Sequence, residues 1–114
     1  MQQDAAIHTA KTRLAMTAAA FECVAQIQDS DRVTDLATAL SPGRLAIIRC
    51  SDHATGLDHT TLENMLADGD FAWAGMIYSS HLGADWQGRV EAFHISELPQ
   101  MIGRLIELRT VEAP

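Results

Sequence analysis

Lysine is almost missing from this chain. Among 114 residues only eight are Lys or Arg, against fifteen Asp or Glu, and the net charge is −7. A surface so poor in cations argues against a nucleic-acid binder working through phosphates. It suits solubility, or a partner with a basic surface. Cysteine is scarce as well. Cys23 and Cys50 make no disulfide framework and point to a reduced, intracellular setting. No apolar run approaches the length of a membrane span, and the opening MQQDAAIHTAKTRL lacks the apolar core of a signal peptide. The seven glycines are scattered, which leaves neither a phosphate loop nor a dinucleotide fingerprint. Aromatic residues make up 5% and are not interleaved with lysine, so no base-stacking platform is read. What is left, 47% apolar and 20% charged, is the composition of an ordinary globular protein. Residues 1–114 make one domain, long enough to bury roughly two-thirds of its chain surface.

The chain is organised around Gly43–Cys50. Leu45-Ala46-Ile47-Ile48 is a short apolar run following Ser41-Pro42-Gly43, and reads as a strand buried on both faces. Arg44 and Arg49 bracket it, placing charges where it leaves the core. Before it, Asp4 caps a helix over 5–20 with the stripe Ile7, Ala10, Leu14, Ala18 and Phe21. Phe21–Gln28 alternates as a strand but also suits helix continuation, and strand is slightly favoured. Asp29-Ser30-Asp31 supplies cap chemistry for a short helix carrying Val33, Leu36, Ala37 and Leu40 at i, i+3, i+4 and i+7.

After the central strand, residues 51–70 are the most polar part and contain no Lys or Arg. Thr60-Thr61-Leu62-Glu63 fits a capping box, starting one or two helical turns closed by Asp68-Gly69-Asp70. The plain reading is a solvated connection with a small helix; the sharper one is an acidic projecting loop that meets a partner. Phe71–Ser80 and Arg89–Ile95 are extended and read as a hairpin joined by a long loop, Ser79–Gly88. Ser96 caps a closing helix with the buried stripe Leu98, Met101, Ile102, Leu105 and Leu108, and Thr110–Pro114 is read as a tail. The expected class is α+β: a small mixed or mostly antiparallel sheet with helices packed on one face, a two-layer sandwich.

Chemical motifs are weak. Cys50, Asp52, His53, Asp58 and His59 hold metal-ligand residue types, but their spacing matches no established ligand frame. Cys50 lacks the glycine elbow or following helix of a nucleophile site. Cys23 reads as core and His8 as surface, while His81 and His94 are unassigned. Trp86 beside Asp85 in the long loop is a candidate interface anchor. With the acidic residues Asp52, Asp58, Glu63, Asp68 and Asp70, and with His81, these two make the candidate interface. No catalytic, cofactor or metal residue is assigned.

The layout resembles the tail-terminator (tail-completion) proteins of Mu-like, long-tailed phages. The resemblance is one of pattern over most of the chain. It is carried by the opening helix with Arg13-Leu14 and Ala18–Phe21, the alternation Cys23–Gln28, Asp31–Leu40, the proline-bounded turn, the strand Leu45–Ile48, the hairpin and the closing helix Leu98–Leu108. It implies an α+β subunit of a hexameric ring that stops the tail tube and meets the head connector, assembled in the host cytoplasm and kept in the virion tail. The partners implied are copies of itself, the tube protein and the connector protein, without cofactor, membrane or sequence-specific nucleic acid. Two alternatives of other classes stand beside it. One is an acidic inhibitor or antitoxin-like module occluding a basic partner; the other is a small metal-dependent enzyme using Cys50, His53 and His59.

Overall fold

The structure is a computed structural model that describes residues 23–29, 33–41, 43–83, 86 and 88–111. The helix expected over 5–20 lies outside these residues, as do Ser30–Arg32 and Asp85. Five strands make one open sheet in the order β1-β2-β3-β4-β5. They are β1 (Cys23–Asp29), β2 (Val33–Ser41), β3 (Arg44–Ala54), β4 (Trp73–Leu82) and β5 (Glu91–His94). β1, β2 and β3 pair antiparallel in sequence. β3–β4 and β4–β5 are parallel, so the sheet is mixed. Helix α1 (Gly56–Ala67) crosses from β3 to β4. Helix α2 (Leu98–Val111) follows a 3-10 turn, Ile95–Glu97.

The expected α+β class with a mixed sheet is what the chain builds, and of the stretch 21–28, where strand was slightly favoured over helix, the described residues belong to a strand, Cys23–Asp29. The helices, however, divide between the two faces. Leu36, Leu40, Ala46, Ile48, Cys50, Trp73 and Ile77 pack with Leu98, Met101 and Leu105 of α2. Ile47, Ala74 and Met76 point the other way and pack with Leu62 and Leu66 of α1. Side chains alternate across a strand, so Ile47 and its neighbours Ala46 and Ile48 feed two separate cores. The result is a sheet between two helical layers rather than a two-layer sandwich.

That sandwiching explains the largest correction. Val33–Ser41 is a strand, not the expected short helix. Residues 33–38 are all buried, because both faces of β2 are covered, and a strand buried on both faces loses its alternation. The helical spacing of Val33, Leu36, Ala37 and Leu40 is then a by-product of near-continuous burial. β2 enters β3 through a tight turn in which Gly43 has φ +79°, a left-handed conformation cheap only for glycine.

The expected hairpin of residues 71–95 is also corrected. β4 runs on to Leu82, and the chain comes back through Gly88–Val90 so that Glu91 stands beside Gly75 in a parallel pair. Glu63 of α1 fixes this return by accepting the backbone N–H groups of Arg89 (2.7 Å) and Val90 (3.0 Å). Val90 is buried in the α1-side core and Trp86 packs against it. The chain therefore crosses α1 instead of turning tightly. The closing helix stands where expected, though it continues through Val111, beyond the tail's expected start.

Candidate functional site

Arg49 does not mark an exit from the core. It sits inside β3, 5% exposed, and faces Asp35 of β2, its register partner. Its Nε and Nη2 donate to the two Asp35 carboxylate oxygens at 2.8 and 2.9 Å, a bidentate fork. Nη1 donates to Asp58 Oδ1 at 2.9 Å. The hydrogen bond to Asp35 outweighs burial and, with Asp58, raises the guanidinium pKa. A charge this deep persists because it is paired on both sides.

Asp58 has a second task, which removes it from any projecting loop. Helix α1 begins five residues earlier than the Thr60 capping box predicts. Its N-cap is Thr55, whose hydroxyl accepts from Asp58 N, while Asp58 Oδ2 accepts from Thr55 N at 2.9 Å. Thr55-Gly56-Leu57-Asp58 has the same box spacing as Thr60–Glu63. It wins because Asp58 can also reach Arg49. With the helix starting at Gly56, Glu63 is freed to hold the return segment.

The remaining interface candidates are dispersed. Asp68 and Asp70 are exposed beyond the end of α1, where Gly69 (φ +83°) closes the helix. Glu63 is half-buried. Burial alone would raise its pKa, but the N–H groups of Val90 and Arg89 and the charges of His59 and Arg89 bring it below the ordinary 4.5. Trp86 is not an exposed anchor: it is half-buried, with its ring 4.9 Å from that of His59. The segment 51–70 thus presents fewer free carboxylates than its composition suggests.

At the carboxyl ends of β3 and β4 a different group forms. Open sheets with parallel strands tend to bind ligands just outside these ends. Asp52 accepts a short hydrogen bond from Ser79 Oγ, and its other oxygen lies 3.5 Å from His53 Nε2. Between the pairs Ser51/Tyr78 and His53/His81, β4 contributes one residue more than β3, a β-bulge. This sets His53 directly beside His81, both exposed. His94 lies nearby but is occupied. Its Nδ1 accepts from Ser96 N (3.1 Å), which leaves the ring proton on Nε2 to donate to Ser79 O (3.1 Å).

The sequence cluster of Cys50, His53 and His59 is not brought together. Cys50 is 1% exposed in the α2-side core, and His59 packs against Trp86 with the two rings tilted by 50°. Among the described residues no three His, Cys, Asp or Glu side chains converge as metal ligands. No described helix is long and apolar enough to cross a membrane. Sequence reasoning missed Asp35 and the Arg49 fork, whose only signal was a carboxylate and a guanidinium inside otherwise apolar runs. It also missed the His53–His81 pairing, which depends on a bulge that no local residue pattern announces. Compared with known proteins, the chain matches no protein-family model, no curated protein and no solved structure.

Proposed function

We propose that this chain is a non-catalytic structural subunit, a phage tail terminator that assembles into a homo-oligomeric ring. In that reading the ring is a hexamer that caps the tail tube and joins it to the head connector. It assembles in the host cytoplasm and stays in the virion tail. The observation that carries the reading is the open sheet with two unlike edges. Among the described residues, β1 ends it on one side. On the other, β5 covers only Gly75–Tyr78 and leaves Ser79–Leu82 of β4 beyond its end. Rings are built from heterologous contacts, one surface of each copy meeting a different surface of the next, and unlike edges meet that requirement. Leu57 on α1 and Ile106 on α2, both exposed large apolar side chains, stand on helices that cover opposite faces and add a second unlike pair.

The acidic-module alternative loses support, since Asp58 and Glu63 are engaged inside the molecule. Of its acidic stretch, Asp68 and Asp70 remain exposed and would face the tube or connector. The test is absolute mass by light scattering at high concentration, with negative-stain images, both alone and with isolated tail tubes. Six-fold rings, free or seated on tube ends, are expected. A chain that stays monomeric and leaves tube ends bare would overturn the proposal.

A further inference from the structure

We propose that His53 and His81 form a two-histidine chelate for a borderline divalent transition metal, copper or zinc, on the exposed carboxyl end of the sheet. The β4 bulge carries this inference. With regular pairing after Ser51/Tyr78, His53 would stand beside Ser80; the additional β4 residue moves His81 there instead. Register neighbours on adjacent parallel strands are about 5 Å apart and point to the same face, a spacing from which two imidazoles can reach one ion with metal–nitrogen bonds of about 2.0–2.1 Å.

The surroundings suit a cation. Asp52 is 3.5 Å from His53 Nε2 and is itself held by Ser79. A carboxylate near one ring nitrogen favours the proton there and leaves the other nitrogen for a metal. Beside the His81 ring stands Gly83, and a Cβ there would lie in ordinary contact with the ring, 3.6 Å from Cδ2 and 3.9 Å from Nε2. Imidazole suits copper and zinc better than magnesium or calcium. Because no third described side chain converges, the other coordination positions fall to water or to a donor from another molecule.

The test is calorimetric titration of the untagged full chain with CuCl2 and with ZnCl2 near pH 7.5, together with ring-nitrogen NMR. One ion per chain is expected, copper tighter than zinc, with the His53 and His81 ring signals shifting together. His53→Ala and His81→Ala should each weaken binding by roughly 10²-fold, the loss of the intramolecular second contact. His8→Ala should leave it unchanged. No saturable binding in the wild type, binding that survives both substitutions, or loss in only one of them would each overturn the proposal. The NMR arm uses the wild type and does not depend on how the variants fold.

Discussion

Replacing Arg49 by Met tests whether the centre of the molecule is a compensated charge cluster. Methionine fills a similar volume but removes three charge-assisted hydrogen bonds, two to Asp35 and one to Asp58. Two carboxylates, each with side-chain exposure of 0%, then share one buried site without the guanidinium that bridged them. Breaking a buried pair in this way costs about 3–5 kcal/mol, against a total stability of about 5–15 kcal/mol. At roughly 4 °C per kcal/mol for a domain this size, the melting temperature should fall by about 12–20 °C. Urea unfolding followed by circular dichroism from pH 5 to 8 provides the assay. In the variant one carboxylate takes up a proton on folding. The folded state then binds more protons than the unfolded one, and stability declines as pH rises, by about 1.4 kcal/mol per pH unit for one proton. Adding Asp35→Leu should restore most of the loss, because Asp58 keeps its Thr55 partners. A loss below about 1 kcal/mol with no pH dependence would refute the reasoning.

Three smaller perturbations follow from the same geometry. Gly75→Ala places a methyl group 2.5 Å from Trp73 Cη2 and 3.1 Å from Met101 Cε; overpacking of this kind should cost about 1–3 kcal/mol in denaturant melts. Thr55→Ala deletes the α1 cap and should lower stability by about 1 kcal/mol, with the earliest loss of amide protection in Gly56–Asp58. Glu63 has a folded pKa below its ordinary 4.5, so its stabilisation is complete above that value and is lost as pH falls through the lower folded one. Amide exchange at Arg89 and Val90 should therefore accelerate in acid, and Glu63→Gln should remove that acid step.

How much of this was legible in the sequence depended on burial pattern more than on propensity. The Leu45–Ile48 strand and the α2 stripe were readable because one is a bounded apolar run and the other keeps a clean helical period. β2 was not, since Asp35 is buried beside Leu36 and the alternation that would mark a strand is filled in from both sides. The start of α1 was ambiguous between two equally spaced boxes. Only Arg49, nine residues before Asp58, decides between them. The parallel placement of β5 was hidden because Glu63, which holds the return, is 27 residues from Val90. For the candidate surfaces the lesson is similar. Asp58, Glu63 and Trp86 have interface-like composition but internal partners, while the exposed histidine pair owes its existence to one extra residue in β4.

The strand order has a consequence for how the chain acquires its shape. Each strand lies beside the one made just before it. Nothing emerging later must be threaded between strands already joined. Loop closure is modest for the antiparallel β1–β2–β3 meander, but Ala46 must find Trp73 across the whole of α1, and such parallel, non-local pairing is the slow addition. During synthesis the sheet can be laid down from β1 onward, with each new strand finding a templating edge already waiting. β5 and α2 complete it, so until α2 has left the ribosome the α2-facing core stays open to solvent.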